Sequence, residues 1–568
     1  MSLFSAIQGS SNALRINQLG LQVVGNNIAN VNTPGYIRQE LIQAPANGYK
    51  AGGLIIGQGV QAVGIQQKLD TFVIERLRQT QSQLSYQEQL EGTNSQIESL
   101  INELSDKDFS SNLSRFANAF QDIANQPGSD SVRTLTISRG QELATQLKTL
   151  HSQVGDIAKR NQSEIRAAAT DINRIVENIA KLNQRIVESE GGSLSNSDAV
   201  GLRDERLKAL DELSSFVDIS VSEEPTGAVT VFVGGDYLVS NGIPRLVKAS
   251  LNSSPEGSGA LEIRLVDTDA AIQITGGKVK GLYESAAAAT STGFQGKLNS
   301  LASDIIRVVN RIHSQGQGLK GFGITTGDTV LKSTLVPIEQ SSPNLDIDNG
   351  SFTIEVRDTK TGKLKTVDIL VRQQGLSSDT TAQQLAASID SIDGISSRIT
   401  NDGRFEIKTD SEGVRFSFSN DTSGVLAALG INTFFRGNSA SNIEVRPTIV
   451  SDPSQLAASN KGLGNGADNA LRIAEAFSKP TELLGGRSVN ALYDSLIADT
   501  TRDINTQKGV TDGLRNFKQM LEAQNLGISG VNLDEEAVKM LLYQRAFQAT
   551  SKLISVAAEM LDTLVNII

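Results

Sequence analysis

The chain reads as a multidomain α plus β protein. Its N- and C-terminal helices pair as a coiled coil, a long helical-bundle rod follows, and β-rich side domains are inserted. Three observations predict this. The C-terminal stretch places an apolar residue every seven positions, at Leu533, Met540, Phe547, Ile554, Leu561 and Ile568, with Tyr543, Thr550, Ala557 and Leu564 interleaved. The N-terminus carries a weaker repeat at Ile7, Leu14, Leu21 and Ile28, with Val24 and Val31 alongside. Between them the pattern alternates in the order helix, β, helix, β, helix. A seam at each end needs the other end or another molecule to cover it, so both sets are read as a polymerisation interface.

Residues 3–31 read as a helix, closed by Asn30-Val31-Asn32-Thr33-Pro34-Gly35-Tyr36. Pro34 disfavours helix at Thr33, and Pro-Gly suits the centre of a type II turn. Residues 37–72 read as extended and glycine-punctuated, so 1–72 is the N-terminal part of the terminal helical domain. Residues 73–215 hold the long rod helices. Leu90, Ile97 and Leu104 repeat every seven there, and after the break at Gln126-Pro127-Gly128 a second repeat runs to about residue 188. It consists of Ile165, Ile172, Ile179 and Ile186, with Ala168, Ile175 and Leu182 between, which is coiled-coil periodicity.

Residues 216–290 switch to period two, most clearly at 229–233 and 261–265, and are expected to be β-rich. A rod helix returns over 291–318, with Leu298, Leu301, Ile305, Val308 and Ile312 at a/d spacing. Residues 319–460 read as an inserted β-rich outer domain with one short helix near 381–391, for which Thr380 and Gln383 form an expected capping box. Residues 461–528 read as rod helices and 529–568 as the C-terminal coiled-coil helix.

A chain of 568 residues is too long for one core, which predicts three or more domains. A net charge of −11 and the lack of a Lys/Arg-rich run argue against a nucleic-acid partner. With no cysteine, disulfides, thiol chemistry and cysteine-ligated metals are excluded. His151 and His313 are the only histidines and are read as helix-surface residues. No stretch approaches the roughly 18–20 apolar residues of a membrane span, so no membrane partner is expected. No signal peptide is visible, which on these rules alone reads as cytosolic.

No catalytic, cofactor-binding or metal-ligating constellation stands out. Gly462-Leu463-Gly464-Asn465-Gly466 lacks dinucleotide spacing and reads as a linker. Asp346-Ile347-Asp348-Asn349-Gly350 starts like a calcium loop, but the glycine comes one residue early and no Glu stands at the twelfth position; a β-turn fits better. Asp534-Glu535-Glu536 sits in the first turn of the C-terminal helix. Asn532 as N-cap with Glu535 three residues on is a capping-box-like start, and the acids complement the helix dipole.

The stretch from Ala29 to Tyr36, with Asn30, Asn32, Pro34, Gly35 and Tyr36, resembles the N-terminal signature of bacterial flagellar rod, hook and hook-associated proteins. The C-terminal motif narrows this. Ser529, Gly530, Val531, Asn532, Leu533, Asp534, Glu535 and Glu536, followed by Tyr543, Gln544, Arg545, Ala546 and Phe547, resemble the hook-associated protein 1 family. Gly57-Gln58-Gly59-Val60, the run from Leu202 to Leu207, and Leu429-Gly430-Ile431-Asn432-Thr433 are similar to internal segments of these axial proteins.

The resemblance implies a structural role at the junction between hook and filament, required for filament assembly. It implies a ring of identical subunits that contacts the flagellar hook protein on one side and hook-associated protein 3 on the other. It further implies secretion through the flagellar type III export apparatus, uncleaved, with a cytoplasmic export chaperone on the C-terminal segment. This reverses the cytosolic reading. Two rivals remain at this point: the flagellar hook protein, and a secreted enzyme or adhesin with its activity in residues 319–460.

Overall fold

The proline-free run after Met1-Ser2 forms helix α1 (Leu3–Ala29). It ends at the expected turn: the Tyr36 N–H donates to the Thr33 carbonyl at 3.1 Å and Gly35 takes φ +74°. That is the left-handed position a type II turn reserves for glycine. This computed structural model describes residues 3–51, 54–101, 108–191, 199–251, 261–290, 293–342, 345–376, 378–464 and 466–567. The chain divides into two compact units. Unit 1 is Met1–Thr93, Lys159–Ala286 and Asn505–Ile568; unit 2 is Asn94–Ala158 and Ala287–Ile504.

After the turn come strands β1 (Gln39–Pro45), β2 (Tyr49–Ala51), β3 (Leu54–Ile56) and β4 (Val60–Gln67). β1 and β4 pair antiparallel from Gln39↔Gln67 to Pro45↔Val60, with a bulge at Ile42/Gln43. Helices α2 (Thr71–Ile101), α3 (Phe109–Asn125), α4 (Asp130–Glu190) and α5 (Val200–Phe216) follow. The Asp108 carboxylate caps α3 by accepting the Ser111 N–H at 2.6 Å. Leu104, the third member of the expected 90–104 repeat, lies outside the described residues.

Strands β5 (Ser220–Glu223), β6 (Val229–Val233), β7 (Asp236–Ser240) and β8 (Ile243–Pro244) form one antiparallel sheet in that order, and β9 (Val247–Leu251) pairs with β10 (Leu261–Leu265). Asn241 and Gly242, at φ +50° and +73°, make the two-residue turn between β7 and β8. The strand-rich segment ends earlier than the expected residue 290. Helix α6 (Gly277–Ala288) occupies its last part, because Val279 and Leu282 are buried three residues apart and an alanine run follows.

The repeat in α4 lands in the core of unit 1: Ile165, Ala168, Ile172, Ile175 and Ile179 are buried. Their neighbours differ from the coiled-coil expectation. They share that core with Leu210 and Leu213 of α5, Leu282 of α6, and Val231, Val239, Ile263 and Leu265 of the sheets. A repeat that suits a partner helix here covers sheet as well.

Unit 2 continues with α7 (Phe294–His313), β11 (Ile324–Val330), α8 (Ile338–Ser341), β12 (Gly350–Asp358), β13 (Leu364–Val371), α9 (Ala382–Asp390), β14 (Ile395–Ile399), β15 (Arg404–Thr409) and β16 (Val414–Ser419). Two antiparallel sheets, β13-β12-β16 and β11-β15-β14, enclose a core that includes Phe352, Phe405, Phe416 and Phe418 together with Leu385 and Ile389 of α9. The capping box of α9 is one residue later than expected. Thr381 accepts the Gln384 N–H at 3.1 Å, and the Gln384 side chain accepts the Thr381 N–H at 3.0 Å. Thr380 is taken up elsewhere, its hydroxyl accepting the Arg372 N–H at 2.9 Å.

Short helices α10 (Val425–Ala428) and α11 (Pro447–Ser451) flank the strand pair β17 (Phe435–Arg436) and β18 (Glu444–Val445). Then come α12 (Asp468–Ser478), α13 (Val489–Ser529) and α14 (Leu533–Ile567). A second core of unit 2 joins α3, α7 and α12 around Phe116, Phe120, Ile305, Phe434 and Phe477.

The helix-surface reading of His313 is wrong. It is fully buried at the end of α7, its Nδ1 donating to the Asn432 carbonyl at 2.7 Å and its Nε2 accepting the Ala457 N–H at 2.9 Å. Burial, with the Arg446 and Arg133 charges adding to it, pushes its pKa down to about 4, so the ring is neutral. The would-be calcium loop is turned to another use: Arg311 donates to the Asp346 carbonyl at 3.0 Å and pairs with the Asp348 carboxylate.

Candidate assembly interface

α1 and α14, both in unit 1, lie side by side and antiparallel. Near the middle, Asn17 Nδ2 donates to Thr550 Oγ1 at 3.5 Å; at the end, Asn27 Nδ2 donates to Glu536 Oε2 at 2.9 Å. Between these two points Tyr543 covers Gly20: a Cβ on Gly20 would stand 2.5 Å from the Tyr543 ring. Glycine is needed there because the ring fills the space of its side chain.

The predicted C-terminal residues fall into two groups. Met540, Tyr543, Phe547, Ile554, Ala557 and Leu561 are half-buried and Thr550 is buried, so this face of α14 is the covered one. Leu533 is 50 % exposed at the helix start. The Leu564 side chain and Ile568 lie outside the described residues. On α1 the buried positions are Ile16, Gly20, Val23, Val24 and Asn27, while Ile7, Leu14, Leu21 and Ile28 are half-buried. The offset arises because α1 is covered from two directions. α14 lies along one side, and Ile16 and Val23 pack on Leu41, Val60 and Ile65 of the β1–β4 hairpin.

A second apolar stripe on α14 is uncovered in the single chain. Val538, Leu541, Leu542, Leu553 and Met560 are each 56–61 % exposed. Apolar residues on two faces of one helix exceed what a single partner helix buries.

The motif residues gather at the end of this pair. Glu536 is buried at 0 % exposure. It accepts from Arg38 Nε at 2.9 Å, from the second Arg38 nitrogen at 2.8 Å, and from Asn27. The same guanidinium reaches Glu535 at 2.7 Å. Asn27 is fixed by three more bonds: it donates to the Gln39 carbonyl at 2.9 Å, and its Oδ1 accepts the Gln39 N–H at 3.0 Å and the Tyr36 hydroxyl at 2.8 Å. The Arg38 N–H donates to the Ser529 carbonyl at 2.9 Å. Glu535 therefore does not close the expected capping box. Asn532 does cap α14, its Oδ1 accepting the Asp534 N–H at 3.0 Å, but the Glu535 carboxylate goes to Arg38.

The electrostatics follow from this packing. Burial works against the Arg38 charge, yet its bonds to Glu535 and Glu536 outweigh that and hold its pKa above the ordinary arginine value. The Arg38 guanidinium pulls the Glu535 carboxyl below the usual carboxylate range. Burial, then the charges of Asp204 and Glu536, pushes the Tyr36 hydroxyl up to about 12, so it stays a donor.

The turn 30–37 also lines one side of a 460 Å³ cleft facing Asp204, Lys208 and Asp211 of α5 and residues 525–531. Asn30 shapes this turn by accepting the Thr33 hydroxyl at 3.1 Å, while Asn32, Pro34 and Gly35 are exposed. Asp204 accepts from Gln67, and burial raises its carboxyl to about 6. Gln544 and Arg545 of the C-terminal motif are exposed on α14 and outside the buried cluster.

Residues 7–36 match a family described as flagella basal body rod protein, and 522–567 match the C-terminal family of the flagellar basal body rod proteins FlgEFG. These two stretches contain most of α1, with its turn, and all of α14. Residues 94–329 match the flagellar hook-associated protein FlgK helical domain. The flagellar hook-associated protein 1 of Salmonella typhimurium is 25 % identical over 99 % of this chain and 100 % of its own length. That of Bacillus subtilis is 24 % identical over 100 % of this chain and 98 % of its own.

Over its whole length the chain is similar to flagellar hook-associated protein 1. The fold agrees with this. The flagellar hook junction protein FlgK of Burkholderia pseudomallei superposes with a TM-score of 0.51 at 14 % identity, covering 79 % of this chain and 99 % of that one. The family is structural, and among the described residues no group of three or more His, Asp or Glu is placed to hold a metal ion. No described helix is long and apolar enough to cross a membrane.

Arg38 and Asn27 were missing from the sequence-derived set. A signal for both existed. Glu536 lies seven residues before Tyr543 on a seam whose other polar member is the uncharged Thr550, and a charge there requires a buried cation and donors.

Proposed function

We propose that the chain is a structural component of the bacterial flagellum that forms the junction between hook and filament and is required for filament assembly. The observation that carries this reading is α14. One of its faces lies on α1, and a second apolar stripe from Val538 to Met560 has no cover within the chain. In the proposed assembly α1 and α14 act as a coiled coil, and the second stripe packs on neighbouring copies in a ring of identical subunits. The flagellar hook protein lies on one side of the ring and hook-associated protein 3 on the other. The chain reaches this place through the flagellar type III export apparatus, with a cytoplasmic chaperone holding the C-terminal segment beforehand. The match of 94–329 to a hook-associated helical domain supports this reading over that of the hook protein.

Leu561→Asp tests the proposal. The substitution puts a charge on the helix pair, while the cores of both units lie elsewhere. The purified variant is expected to keep the melting behaviour of both units, and cells carrying it are expected to lack filaments and release filament subunit into the medium. Normal motility in that strain would overturn the proposal.

A further inference from the structure

The seam of α14 repeats every seven residues, so a slide of one heptad, about 10.5 Å at ~1.5 Å per residue, again sets apolar side chains against α1. Hydrophobic periodicity alone leaves the alignment of the two helices degenerate. One position puts a charge in the repeat. Glu536 stands four residues before Met540 and seven before Tyr543, where the spacing calls for an apolar residue, and it is completely buried.

Its surroundings form a built socket. Arg38, with its side chain 6 % exposed, is anchored through its N–H to the Ser529 carbonyl and through its carbonyl to the Lys68 N–H, each at 2.9 Å. Asn27 is held by Gln39 and Tyr36. Three donor bonds from these two side chains converge on the Glu536 carboxylate at 2.8–2.9 Å. A slide of one heptad either brings Tyr543 into the socket or sets the socket opposite the segment that precedes α14, and in both cases carries Glu536 away from it. The carboxylate then loses Arg38 and Asn27 and keeps only Lys539 of its own helix, 3.5 Å away; a buried charge stripped of its main partners is costly. The same slide removes the Tyr543 ring from Gly20.

We infer that Arg38 and Asn27 form a register socket for Glu536, which admits the C-terminal helix to the N-terminal helix in one alignment and rejects it one heptad out of place. This specificity role rests on reading α1 and α14 as the pair through which the chain assembles.

The chain has no cysteine, so an introduced pair supplies the only thiols. Asn17→Cys with Thr550→Cys reports the native alignment, since these side chains meet at 3.5 Å. Asn17→Cys with Ala557→Cys reports a displacement of one heptad. Oxidation of the full-length chain is expected to give about tenfold more intrachain disulfide for the first pair than for the second. In the Arg38→Leu/Glu536→Leu background, which removes both charges together, the ratio is expected to fall below about threefold with helicity retained. Glu536→Gln keeps the shape without the charge; it is expected to lower the ratio too and serves if the double variant does not fold. A tenfold ratio that persists in these backgrounds overturns the socket while leaving the helix pairing intact. Failure of the parent to form either disulfide overturns the pairing itself, and the socket with it.

Discussion

His313 and Glu536 show how a buried ionisable residue is used in each unit. His313 is kept neutral by burial and bridges Asn432 and Ala457, segments more than a hundred residues apart from it in sequence. The unfolded chain protonates this ring below about pH 6.5, whereas the folded chain does so only near pH 4. Its contribution is therefore complete above about 6.5 and is lost as pH falls toward 4, to the extent of about 3 kcal/mol. His313→Phe removes the titration. The stability gap between parent and variant, read from urea midpoints of unit 2, is expected to be largest at pH 7.5 and about 2 kcal/mol smaller at pH 5. An unchanged gap would show that the ring is already protonated or does not bear on stability. Neither role was legible in the sequence. Helical spacing around His313 says nothing of the chain that returns to cover it, and the Arg38–Glu536 partners are 498 positions apart.

At the scale of elements, helix and strand identities followed from periodicity, and what each face meets did not. The α4 repeat was visible as an apolar stripe, but a stripe of that width suits sheet and helix alike, and the core shows both. α1 was read with one face and has two, because the β1–β4 hairpin covers Ile16 and Val23 while α14 covers Gly20 and Asn27. The turn at Pro34-Gly35 was readable because its chemistry is local. The capping box of α9 was misplaced by one residue, since two adjacent threonines offer the same side chain and only the pairing of Thr380 with Arg372 decides between them. Gly20→Val tests the helix contact. A side chain there meets the Tyr543 ring, so α14 must shift, and a cost of about 1–3 kcal/mol is expected for overpacking. Hydrogen exchange should show faster amides in α1 and α14, with the α4 core unaffected. Uniform protection would mean that the two helices do not depend on this close approach.

For the whole molecule, the apolar seams of the two terminal helices point to assembly. The structure sharpens this by separating the faces of α14. One is occupied by α1, and the other, from Val538 to Met560, is uncovered within the chain. On the proposed reading the partners of that second face lie outside the chain, so sequence periodicity can indicate an interface without identifying what fills it. The most direct test of the junction role is electron microscopy of cells from which this chain has been deleted. The expected result is hooks of normal length without filaments, restored by the intact chain. Deleted cells with filaments attached to their hooks would contradict the account.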